Sequence, residues 1–192
     1  MARVGLKGLT YATYASGGDG SAVTYTASSG VAVNDMLISA EVTIDKDDVK
    51  LYADNHVVER VNGMIGGTIS LELAKLPDTV KTALLGYSAS GSVLTVTDAE
   101  APYVGFGYIA CEVVSGVKSY LGYWFPKVQF GMDNDSASTK GENTEFKTNT
   151  LTGEIMGVVT SANGAVEYYY TDTDSTESGV RTWLNTKAGI TG

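Results

Sequence analysis

Cysteine is nearly missing from this chain. Cys111 stands alone, which excludes an intrachain disulfide and leaves no thiolate cluster for a metal. A lone thiol of this kind is expected as a small buried hydrophobe. Histidine is as scarce: His56 falls in an expected turn, with neither cysteine nor an acidic cluster at ligand spacing, and reads as a turn residue and not as a base or ligand. Basic side chains are few, with Lys+Arg 13 against Asp+Glu 22 and a formal net charge of -9. Affinity for nucleic acid comes mainly from basic groups meeting phosphates, so the balance excludes a protein that grips DNA, though not one that surrounds it. No run reaches the roughly 20 apolar residues of a membrane span, and the opening MARVGLKGLT lacks the apolar core of a secretory signal. The expectation is a soluble protein made in a cytoplasm, without membrane insertion.

Catalytic and ligand motifs are missing as well. There is no Gly-x-Ser-x-Gly elbow and no phosphate loop. Asp133-Asn134-Asp135 begins like a calcium loop but lacks its glycine and closing glutamate, and Asp172-Thr173-Asp174 fails in the same way. Gly105-Phe106-Gly107 opens a strand, so no helix dipole stands behind it to hold a phosphate. No enzyme, cofactor or metal site is expected.

What is present is glycine, 23 in 192 residues, and alternation. The glycines predict many tight turns and short strands. Met36, Ile38, Ala40, Val42 and Ile44 alternate with Ser39, Glu41, Thr43 and Asp45, the period-two pattern of a strand with one dry and one wet face. Ile69, Leu71 and Leu73 alternate with Thr68, Ser70 and Glu72, and Leu151 and Ile155 with Thr150, Thr152 and Glu154. All three wet faces carry hydroxyls and carboxylates, with no lysine until the far end of the first strand, as suits a surface that an anion passes without sticking. Val49 to Val61 predicts a protruding hairpin turning near Asp54-Asn55-His56. An isolated hairpin is marginal in water, so Val49, Leu51, Tyr52, Val57, Val58 and Val61 need cover, either from their own fold or, the preferred reading, from a neighbouring copy.

Elsewhere, Leu76-Pro77-Asp78, the stripe Val80, Leu84, Leu85 and then Gly86 predict a short capped helix. Strands are expected at 23–26, 93–97, 103–114, 117–130 with a break, bulge or edge at Pro126, and 166–171; a long polar loop covers 131–145 and a turn or two of helix 177–184. The class is all-β with one short helix, a single domain over 1–192 with an N-terminal arm to about 30 and a C-terminal extension from about 161. The twelve tyrosines are scattered through strands and serve packing as well as they would serve a sugar.

Val4-Gly5-Leu6-Lys7 with Tyr11-Ala12, Tyr52-Ala53-Asp54-Asn55, Gly67-Thr68-Ile69-Ser70-Leu71, Leu84-Leu85-Gly86, Ala101-Pro102-Tyr103-Val104-Gly105 and Thr139-Lys140 follow one another in an order that resembles the major tail proteins, the tail-tube subunits, of long-tailed non-contractile phages of Gram-positive bacteria. The resemblance spans Val4 to about Glu154. It implies a β-sandwich or partial barrel of the tail-tube type with a flanking helix, hexameric rings, and rings stacked into a virion conduit for DNA. It further implies that Ser39, Glu41, Thr43, Thr68, Ser70, Glu72, Thr150, Thr152 and Glu154 line the channel and that the hairpin residues make contacts between subunits or rings. Partners would be further copies, the tape-measure protein, terminator and distal tail proteins, and genomic DNA that passes without tight binding. The rivals are the tube protein of a contractile injection or secretion system, and a carbohydrate-binding or adhesion β-sandwich, which would show a secretion signal and a concave aromatic cluster.

Overall fold

The computed structural model describes residues 2–34, 36–53, 56–98, 100–114, 116–134 and 148–190. The chain runs β1 (Ala2–Ser16), β2 (Thr24–Tyr25), β3 (Val31–Val33), β4 (Leu37–Ala53), β5 (His56–Leu73), α1 (Asp78–Leu85), β6 (Ser88–Ser90), β7 (Val93–Thr95), β8 (Tyr103–Val114), β9 (Val117–Asn134), β10 (Asn149–Ile155), β11 (Tyr170–Asp174) and α2 (Glu177–Lys187). The protein is all-β, as its alternating patterns predict. Nine strands form one antiparallel sheet along the path β2-β1-β8-β9-β10-β5-β4, with β3 added to β1 and β11 to β9, while β6 and β7 make a separate hairpin. The sheet curls without closing into a barrel. Its inner face gathers Leu9, Ile69, Leu71, Phe106, Phe125, Phe130 and Leu151 into the main core, and α1 packs on them through Val80, Leu84 and Leu85.

Helix α1 follows its sequence signals. Pro77 takes the N-cap position, Asp78 lies in the first turn, and Gly86 adopts φ 74° so that its N–H donates to the Thr82 carbonyl at 3.2 Å. The left-handed backbone is why glycine stands there. Pro126 also follows expectation. The β8–β9 register slips between Val104 and Phe106, so Pro126 sits in a bulge. On the other edge of β9, β11 pairs with residues 120–124 and β10 with 128–134, and Pro126 falls in the gap where no ladder needs its missing N–H.

Several expectations are corrected. The N-terminal stretch is no arm: β1 pairs with β8 over ten positions, Ala2↔Val113 to Thr13↔Val104, and Leu9, Tyr11 and Ala12 are buried. Register shifts at Arg3/Gly5 and Lys7/Leu9 break its alternation, which hides the strand from a periodicity reading. The C-terminal part is likewise built in, as β11 pairs with β9 and α2 covers the outer face of β8 and β9. The turn or two of helix expected at 177–184 is a longer helix, α2, that runs to Lys187. Thr176 caps α2 by accepting from the Gly179 N–H at 3.2 Å, and Val180 and Leu184 are buried. Weak formers (Gly179, Thr182, Thr186) blur its extent in sequence; packing of its apolar stripe supplies the stability. The strand expected at 166–171 lies at Tyr170–Asp174, preceded by a bridge between Val158 and Glu167. Cys111 is half-buried in β8 and not part of the core, and His56 is the first residue of β5. Most of the long polar loop, with Thr139-Lys140 and Asp135, lies outside the described residues.

Close packing of α2 depends on residues without side chains. A Cβ on Gly105 would lie 2.4 Å from the Tyr25 ring, on Gly107 2.7 Å from Leu184, and on Gly122 2.6 Å from Val180. The half-fingerprint Gly105-Phe106-Gly107 is thus a flat floor for Tyr25 and α2.

Candidate functional site: a polar face across three strands

The nine residues expected to share a wet surface are brought together by strand register. β5 lies between β4 and β10, and the Cα partners read Ser39↔Glu72↔Thr150, Glu41↔Ser70↔Thr152 and Thr43↔Thr68↔Glu154. Directly opposed residues in a ladder point to the same side, so the nine form three rows on one face. The other face of β5 carries Ile69, Leu71 and Leu73, each fully buried. Ser39, Glu41, Thr43 and Glu154 are exposed, and the other five are partly so.

Each row holds one carboxylate, and the three sit on three different strands, so no two acidic groups lie directly opposite. Like charges facing across a ladder are destabilising; the stagger spreads negative charge over the face without that cost. Hydroxyls anchor one of the acids: Glu72 accepts from Ser39 Oγ at 3.3 Å and from Thr148 Oγ1 at 2.7 Å. The face continues onto β9 and β8, where Glu154 opposes Gln129 and Gln129 opposes Tyr103. The Gln129 amide donates to Glu100 Oε1 at 3.2 Å and to the Ala101 carbonyl at 2.8 Å. Lys127 marks the far end, its ammonium 4.4 Å and 4.8 Å from the Tyr103 and Tyr14 rings. Gln129 and Lys127 were not among the expected residues. The alternation of Lys127, Gln129 and Gly131 with Val128 and Phe130 was the signal, and the slip at Pro126 obscured it.

The dry face of β4 is less dry than its pattern. Met36 is buried, but Ile38 is 46% and Ile44 37% exposed. Ile38 sits at a register shift between Leu37 and Ser39, and β4 is the last strand on the sheet path, with no further strand beside it among the described residues. Beyond Asp45 the β4–β5 ladder runs on to Ala53↔His56 as a projecting hairpin. Val49, Tyr52, Val57 and Val58 stand exposed there, while the side chains of Leu51 and Val61 and the tip Asp54-Asn55 lie outside the described residues. The same hairpin holds a two-pronged ion pair, Arg60 Nε and Nη2 donating to the two Asp48 oxygens at 2.6 Å and 3.1 Å. It lowers the Asp48 pKa and raises that of Arg60.

Chemically the polar face offers hydrogen-bonding groups and negative charge. Its groups are hydroxyls and separated carboxylates on rigid strands, and no group of three or more possible metal ligands occurs among the described residues. No helix among the described residues is long and apolar enough to cross a membrane. No family model matches the chain, and no curated protein matches it in sequence.

Proposed function

We propose that the protein is the tube subunit of a long, non-contractile phage tail, assembling as hexameric rings that stack into a hollow conduit. The observation that supports this reading is the convergence of the three hydroxyl-and-carboxylate strands in register on one face. In the tube that face lines the channel. Duplex DNA carries one negative charge per roughly 1.7 Å of axis, so a basic wall would hold it and an acidic wall lets it slide. Screening confines the repulsion to about 8 Å at physiological salt, which makes the wall a non-stick lining and not a motor. The bare edge of β4 and the exposed apolar hairpin supply what ring and stack formation require: unpaired strand edges and apolar surface. The curled all-β sheet with α1 on its core is then the tail-tube form of the fold, and the same channel would house the tape-measure protein before DNA enters.

Negative-stain electron microscopy of concentrated protein tests the reading. Rings or tubes with a central hole are expected. Compact monomers at every concentration and salt would overturn it.

A further inference from the structure

Away from the polar face, the outer side of the sheet bears a cavity of about 390 Å³ at the C-terminal end of α2. Its volume lies within the range of about 300–1,000 Å³ common for ligand clefts. Tyr25, Trp124, Thr160, Glu167, Tyr170 and Lys187 line it, drawn from β2, β9, β11, α2 and the segment before β11. Glu167 and Lys187 are its two charged groups, so the lining is close to neutral. Thr160 Oγ1 and the Tyr170 hydroxyl both donate to Glu167 Oε2, at 3.1 Å and 2.5 Å. Lys187 is held over the aromatic faces of Tyr170 and Trp183, at 4.5 Å and 5.8 Å. Tyr25 is fixed by two bonds, accepting from Trp124 Nε1 at 3.1 Å and donating to the Pro126 carbonyl at 3.0 Å, with its ring edge-on to Trp124.

We propose that this cavity binds a neutral saccharide. Sugar hydroxyls both donate and accept, and the lining offers a carboxylate that accepts, an ammonium that donates, and the Thr160 and Tyr170 hydroxyl oxygens, which can still accept although their protons go to Glu167. The half-buried ring of Tyr25 offers aromatic surface beside them for the apolar C–H face of a pyranose ring. A phosphate would meet one ammonium and be repelled by Glu167, and an organic cation would be repelled by Lys187. Burial raises the Tyr25 and Tyr170 pKa values, so both phenols keep their protons at neutral pH and hold the Pro126 carbonyl and Glu167 in place. The site stands apart from the channel reading, since it uses none of the nine residues of the polar face.

The test is a titration of the full chain with maltose and with N,N′-diacetylchitobiose, read by tryptophan fluorescence, since Trp124 lines the cavity. Saturable binding of at least one sugar is expected. Lys187→Met, which keeps the packing stem and removes the donor, should weaken that binding roughly tenfold, as loss of one hydrogen bond to a charged group does. Glu167→Gln should weaken it similarly, with a cooperative melting transition retained by both variants. Binding of neither sugar, binding that both variants leave at the wild-type level, or saturation by inorganic phosphate alone would each overturn the assignment. A protein that forms tubes yet binds neither sugar would sink this inference and leave the tube reading intact.

Discussion

At Gly107 a methyl group would lie 2.7 Å from Leu184 Cδ2, from the Trp124 ring and from the Tyr123 carbonyl oxygen. The carbonyl belongs to the neighbouring strand and cannot yield as a flexible side chain can. Gly107→Ala should therefore cost about 1–3 kcal/mol, the usual penalty of overpacking, measured as a lowered urea midpoint with an unchanged slope. An alanine that left the midpoint unmoved would mean that α2 is not seated on this floor. Gly116 offers the contrast: nothing lies within 4 Å of a Cβ there, and only its φ of 83° argues for glycine. Two residues of one type thus answer to different constraints, one to packing and one to backbone conformation.

Among the elements, α2 is tied to β1 by a charged strap. Glu177 accepts from Lys7 Nζ at 2.6 Å and from Arg181 Nη2 at 2.7 Å, and Arg181 also donates to Asn34 Oδ1 at 2.8 Å. The hydrogen bond from Lys7, then that from Arg181, hold the Glu177 pKa below its ordinary value. A lowered folded pKa means stability that is present above the unfolded value and lost as pH falls through the folded one. Glu177→Gln should thus melt below wild type at neutral pH, and the gap should close as pH drops below about 4; a gap independent of pH would dismiss the strap. The hairpin is the other element with a clear test. Burying Val49, Tyr52, Val57 and Val58 against a neighbour stabilises by roughly 25 cal/mol per Å² of apolar surface. Holding a free arm ordered costs about 1–2 kcal/mol per residue. The terms are of similar size, so the arm should be loosely held until it docks. Val49→Asp with Val58→Asp should leave a monomer with a normal melting transition that forms no tubes. Strong amide protection across residues 57–61 of the wild-type monomer would count against a loosely held arm.

For the whole molecule, a net charge of -9 is spread so that one face of the sheet keeps only acids and hydroxyls across three strands. Reversing that sign tests the proposed channel lining. Glu41→Lys with Glu72→Lys should shift stability by about 1–2 kcal/mol, since Glu41 is exposed and half-buried Glu72 loses its hydrogen bonds from Ser39 and Thr148. DNA release from virions carrying the pair should slow, read by single-particle ejection kinetics. Unchanged ejection would remove the lining role from this face.

Much of this was legible in the chain because it is local. A period of two places every second residue on one side, so the faces of β4, β5 and β10 follow from Ile69-Ser70-Leu71 and its like; helix α1 follows from Pro77, Asp78 and Gly86, whose backbone preferences need no neighbour. Tertiary structure decided whatever depends on partners distant in sequence. That Glu41, Ser70 and Thr152 share a row rests on ladder registers, and one residue of slip would have turned each side chain to the core. Slips of that kind, at Arg3/Gly5, Lys7/Leu9 and Val104/Phe106, are why β1 reads as an arm and why Gln129 goes unnoticed. The seating of helix α2 and the cavity beside it belong to the same class: Gly105, Gly107 and Gly122 become a packing floor only when the sheet sets them beneath Tyr25, Leu184 and Val180. Periodicity is a property of neighbours along the chain, whereas register and close approach are properties of segments that meet only on folding.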